Sequence, residues 1–218
     1  MDREFYSSNQ SKVYLPLNER QTLPSMDSLP LERALTALGD LLAADGEEVR
    51  LVAVGGAALR LQGLVDRTTQ DVDVIGRVRA EDGDVTHPEP LPEAVVRAAR
   101  AVARDLGLPE DWLNTEIAAQ WRTGLPPGLA DDLTWRRFGG PSGGLVLGLV
   151  GRRTLVALKL FAAVDRGPRS VHFQDLRALA PTREELDAAA AWVRTQDESP
   201  VFADMVGQVA ERALASDG

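Results

Sequence analysis

Apolar residues recur along this chain in two rhythms, one helical and one extended. In "DSLPLERALTALGDLLAADG", Leu31, Leu35, Leu38 and Leu42 share one helical stripe, with Asp27 or Ser28 placed to cap its start and Gly46 to end it. "EVRLVAV" is a short β-branched run halted by Gly55 and Gly56, the pattern of a buried strand. "AALRLQG" then predicts a short helix and "DVDVI" a second strand. Residues 80–92 read as a loop from their Gly, Pro and acidic content. "PEAVVRAARAVARDLGL" predicts a helix opened by Pro in its first turn and closed at Gly107. Between 108 and 144 the rhythm weakens: "DWLNTEIAAQW" fits a helix or irregular structure, "LTWRRF" a strand, "GGPSGG" a turn and "LVLGLV" a strand. Helices are predicted for "RRTLVALKLFAAVDR", "TREELDAAAAWVRTQ" and "PVFADMVGQVAERALA", separated by "GPRS" and "DESP".

These elements predict an α/β core over residues 29–150, a small mixed sheet flanked by helices, and a C-terminal helical section over 151–218 that completes the site. Residues 1–28, rich in Ser, Asn and Pro, read as a flexible N-terminal arm. With 218 residues and 44% hydrophobic content, the chain is long enough to bury a sizeable core. The absence of cysteine excludes disulfides, thiolate chemistry and cysteine-ligated zinc, and points to the cytoplasm. Neither a leader-like apolar stretch nor a run long enough to span a bilayer is expected. A net charge of −9 argues against a broad basic surface of the kind that neutralises nucleic-acid phosphates, while leaving room for a local basic groove. The cations are lopsided, 22 arginines against 2 lysines, the latter being Lys12 in the arm and Lys159.

Chemistry concentrates in "GGAALRLQGLVDRTTQDVDV", Gly55 to Val74. On a strand, residues two apart share a face, so Asp71 and Asp73 would project together while Val72 and Val74 point inward. Two crowded carboxylates repel unless a cation lies between them, and hard divalent ions such as magnesium or manganese favour oxygen donors. The alternative is an ordinary solvated strand face. Gly55 and Gly56 end a strand and open a helix, an arrangement whose backbone N–H groups accommodate phosphate oxygens without obstruction. Arg67 and Thr69 add a planar cation and a hydroxyl just ahead of the aspartates.

The order strand, Gly-Gly, short helix, Arg-x-Thr-x-Asp-Val-Asp resembles the signature of the DNA polymerase β-like nucleotidyltransferase superfamily. A second segment, "RRTLVALKLFAAVDRGPRSVHFQDLRAL", is similar to the helix-turn-helix of the bacterial abortive-infection and type IV toxin-like nucleotidyltransferases. There a Lys on one helix and an Asp at the start of the next complete the site, positions matched here by Lys159 and Asp175. The resemblance implies a metal-dependent nucleotidyltransferase. Asp71 and Asp73 would hold magnesium or manganese, Gly55, Gly56, Arg67, Thr69 and Lys159 would bind an NTP, and Asp71, Asp73, Lys159 and Asp175 would serve catalysis. The acceptor stays open among an RNA 3′ end, a protein and a small molecule, and the resemblance leaves room for a partner protein of a toxin–antitoxin-like pair. A catalytically silent nucleotide-binding or protein-interaction module of the same fold is the alternative.

The residues themselves also have blander readings. Lys159 fits a helix surface or an ammonium snorkelling from an apolar face, and Asp175 fits a first-turn acid or a partner for Arg177 or a nearby arginine. His172 stands where related sequences carry another acid, and with Asp175 it is too little for a zinc site. His87 reads as solvated. Members of the superfamily commonly add a third carboxylate on a later strand. "LTWRRF" and "LVLGLV" carry none, and Asp131 and Asp132 only precede the first.

Overall fold

The computed structural model describes residues 29–79, 83–141 and 144–215. The arm over 1–28 and the expected cap at Asp27 or Ser28 lie outside the described residues. The protein is α/β, with a six-stranded mixed sheet flanked by helices and a helical C-terminal part. Helix α1 (Leu29–Ala44) leads into β1 (Glu48–Val54), α2 (Gly55–Leu61) and β2 (Val72–Val78). Next come β3 (Val85–Thr86), α3 (Glu93–Leu106), β4 (Leu113–Asn114), β5 (Leu133–Phe138) and β6 (Gly144–Val150). Four helices follow: α4 (Arg152–Arg166), α5 (Val171–Ala178), α6 (Arg183–Val193) and α7 (Pro200–Leu214).

The strand order is β3-β2-β1-β6-β5, with β4 also pairing with β2. β1 runs parallel to β6 and antiparallel to β2, so the two most apolar strands sit at the centre. Every residue of β6 is buried, as expected of a strand covered on both faces. Leu31, Leu35, Leu38 and Leu42 all point into the core, where α1 packs on β6, β5 and α3. On the helical side α4 is the hub: Leu155, Val156 and Leu160 are buried where it meets α5, α6, α7 and α2. Thr182 and Glu185 form a reciprocal capping box at the start of α6, which fixes where that helix begins.

Three local expectations need correction. Residues 80–92 are not all loop, because Val85 and Thr86 pair antiparallel with Val78 and Arg77 of β2. Pro92 caps α3 from outside instead of sitting in its first turn. "DWLNTEIAAQW" splits into strand β4 and a 3-10 stretch over Glu116–Arg122. The two later strands, β5 and β6, do not flank the aspartate strand, since β6 pairs with β1 and β5 with β6. The strand that flanks the Asp-Val-Asp segment is β4, where Asn114 lies opposite Asp73.

Candidate functional site

The sequence forces a sharp exit from β1. Gly55 adopts φ +70, and a Cβ there would collide with Oδ2 of Asp73. Only glycine lets the chain turn directly over that carboxylate. Gly56 is as constrained in another direction, since its Cβ would press on Thr69 Oγ1 at 2.9 Å and Arg67 Nη2 at 3.0 Å. The Gly-Gly turn thus lies against the three polar groups that the sequence singled out.

β2 then presents the carboxylates. Val72 and Val74 are fully buried, Asp73 is half-buried and Asp71, just before the strand, is exposed. Thr69 Oγ1 donates to Asp71 Oδ1, and Asn114 Nδ2 donates to Asp73 Oδ1 at 3.4 Å. The Asp73 carboxyl is pushed above its ordinary range, first by burial and then by the charge of Asp71, against the weaker help of Asn114 and Lys159. Their repulsion is therefore not relieved within the chain.

Arg67 and Lys159 behave differently. Both close on Asp175, which is 2% exposed: Arg67 donates through Nε at 2.7 Å and Nη2 at 2.8 Å, and Lys159 Nζ donates at 2.7 Å. Burial alone would raise the Asp175 carboxyl, but the bonds from Arg67 and Lys159 outweigh it and hold the carboxyl below its ordinary value. The first-turn reading of Asp175 does not apply, because it is the fifth residue of α5 and faces inward. Nor is Lys159 a surface or snorkelling lysine, as its side chain is 5% exposed.

Gly55, Gly56, Arg67, Thr69, Asp71, Asp73 and Lys159 line one cavity of about 860 Å³, closed on its far side by α4, α5 and α7. Asp175 does not line it but stands behind Arg67 and Lys159 as their shared counterion. The opposite wall is apolar, with Ile117, Phe161, Phe202 and Met205. His172 also lines the cavity, and burial and the neighbouring Lys159 charge push its imidazole below the usual value. His87 is exposed and its ring lies tilted against Trp121, with ring centroids 5.9 Å apart. Asp131 and Asp132 are exposed and precede β5 outside the cavity.

Several lining residues escaped the sequence reading, Asp165, Arg166, Asp197 and Glu116 among them, and Glu116 lies nearest the aspartate strand. Glu116 follows β4 by two positions, its backbone N–H held by Asn114 Oδ1 at 3.1 Å, and its charge contributes to raising Asp73. No hydrogen bond or ion pair engages its side chain among the described residues. The only available signal was a carboxylate shortly after an unrecognised two-residue strand.

No cluster of three or more His, Asp or Glu side chains suited to a metal occurs among the described residues. A dedicated protein cage is thus not what this site offers. Asp71 and Asp73 do fit a magnesium ion that keeps waters and shares a ligand's phosphates, the usual mode for that ion. Their oxygen donors and unrelieved repulsion suit an added cation. No protein-family model matches the chain, and no curated protein or solved structure matches it significantly.

Proposed function

We propose that the protein is a nucleotidyltransferase that moves an NMP from an NTP to an acceptor hydroxyl. The observation that carries this reading is convergence. A glycine turn, two unrelieved carboxylates and two tethered cations come from segments more than eighty residues apart and meet at one cavity with an apolar wall. An NTP has the complementary make-up, with an anionic chain at one end and a flat apolar base at the other. A cavity of about 860 Å³ lies within the range typical of small-molecule sites.

In this reading the triphosphate lies along the Gly55–Gly56 turn, where the missing side chains leave room for close backbone approach. Arg67, beside Gly56, and Lys159 meet it pre-oriented by Asp175, so little side-chain entropy is lost on binding. Magnesium held by Asp71 and Asp73 would supply charge neutralisation at the reacting phosphate. Phe161 and Ile117 offer the base an apolar surface. Glu116, with no partner of its own, takes the proton of the attacking hydroxyl. Asn114, opposite Asp73, carries no charge, and Glu116 is the carboxylate two residues further along the chain.

The experiment is incubation of the full chain with magnesium, each α-labelled NTP and cell extract, with pyrophosphate release as the readout. Release that depends on Asp73 is expected. Nucleotide binding with no release under any condition would favour the silent binding module.

A further inference from the structure

We propose that the acceptor is a protein side-chain hydroxyl, docked on the apolar and acidic rim of the cavity. This inference rests on the nucleotidyl-transfer reading and names its second substrate.

The first support is where the exposed apolar side chains fall. Among the described residues the large exposed ones are Leu41, Trp135, Val171, Val201 and Met205. Three of these gather at the cavity mouth. Val171 opens α5 and lines the cavity, Met205 lines it from α7, and Val201 lies one helical turn before Met205 on the same face. α7 docks through Val206, Ala210 and the partly buried Phe202, while Val201 and Met205 stay exposed on its outer side. An apolar patch rimmed by polar groups at a site entrance is the ordinary mark of a protein contact.

The second support is charge. The cavity is lined by Asp71, Asp73, Glu116, Asp165 and Asp197 against Arg67, Lys159 and Arg166. Each of those cations already has a carboxylate partner: Asp175 for Arg67 and Lys159, and Asp165 for Arg166 at 2.9 Å. An NTP brings divalent ions that offset the excess of acid. An RNA acceptor brings further phosphates that need lysine or arginine to neutralise them, and with Arg67 and Lys159 on the triphosphate the lining keeps only Arg166, itself beside Asp165. A polypeptide segment with apolar residues and a Lys or Arg beside its hydroxyl complements the same rim, with Glu116 and Asp197 facing its cations.

The chemical step balances without a further reactant. The oxygen of a Ser, Thr or Tyr side chain forms a bond to the α-phosphorus while the α–β phosphoanhydride bond breaks. Its electron pair departs with pyrophosphate, and the hydroxyl proton goes to Glu116.

The test uses the full chain, magnesium and α-labelled NTPs with three acceptors in parallel. These are a synthetic peptide pool with Ser, Thr or Tyr set between apolar and basic residues, RNA oligonucleotides with free 3′ hydroxyls, and a small polyol. Wild type is compared with Val201→Asn, whose altered side chain is exposed, outside the core and off the cavity lining. Nucleotide binding and oligomeric state are measured for both. Expected is label on the peptides, reduced at least about tenfold in Val201→Asn, as for loss of an interface anchor, with nucleotide binding and oligomeric state unchanged. Label on RNA or on the polyol overturns the inference and leaves nucleotidyl transfer standing. So does peptide labelling indifferent to Val201→Asn, or a dimer that Val201→Asn dissociates. No label and no pyrophosphate with any acceptor overturns the transfer reading itself, and this inference with it.

Discussion

Replacing Asp175 with Asn removes one negative charge from the most enclosed polar cluster of the protein. Lys159, with a side chain 5% exposed, then keeps its ammonium in the interior opposite a neutral amide. Arg67 is better placed, since its side chain is 35% exposed and can turn to water. Breaking a buried ion pair from one side costs roughly 3–5 kcal/mol, and the accessibility of Arg67 argues for the lower end, about 3 kcal/mol. With a urea dependence of about 2 kcal/mol per M for a chain of this size, the unfolding midpoint should fall by about 1.5 M. The pH profile supplies an independent check. Asp175 is held below its ordinary value of 3.8, so its stabilising contribution is complete above that value and is lost as pH falls through the lower folded-state value. Wild-type and Asp175→Asn midpoints should therefore differ fully at pH 7 and converge in strong acid. A midpoint within about 0.2 M of wild type at pH 7, with an unchanged urea dependence, would refute the counterion argument.

Asp73→Asn should raise stability at pH 7, the opposite sign, because the Asp73 carboxyl is raised by burial and by Asp71. That gain should shrink as pH falls and Asp73 is protonated, while calorimetry shows magnesium-dependent nucleotide binding lost. Lys159→Arg should weaken NTP binding by about tenfold, because a planar guanidinium does not fit the enclosed contact that an ammonium makes at 2.7 Å. An unchanged titration would remove Lys159 from the site. Glu116→Gln should leave nucleotide affinity and thermal unfolding as they are and lower turnover by about a hundredfold, the typical contribution of a positioned base. A turnover equal to wild type would assign the proton elsewhere.

The parts of the fold that were legible in the sequence are those whose periodicity is carried by many residues. The leucine stripe of α1, the β-branched run of β1 and the boundaries of α4 follow directly from apolar spacing, because core burial dictates it. β3 and β4 have two residues each, too few for any period to register, and their pairing is set by β2. Missing β4 hid Asn114 beside Asp73 and Glu116 beyond it. Site residues on β1, α2 and β2 were legible because a glycine turn and alternating carboxylates are local patterns. The Arg67–Asp175 contact was not, since it joins residues 108 positions apart and depends on how α4 and α5 dock.

That same contact sets an order of events during synthesis. The aspartates and the glycine turn emerge from the ribosome early, yet β1 lacks its central parallel neighbour until β6 has followed. Arg67 waits longer still, for a carboxylate on α5. A nascent chain that has not reached Val171 can present the acidic strand but has no counterion with which to aim its two cations. The pocket is therefore finished last, and an interrupted chain leaves it without its charge geometry.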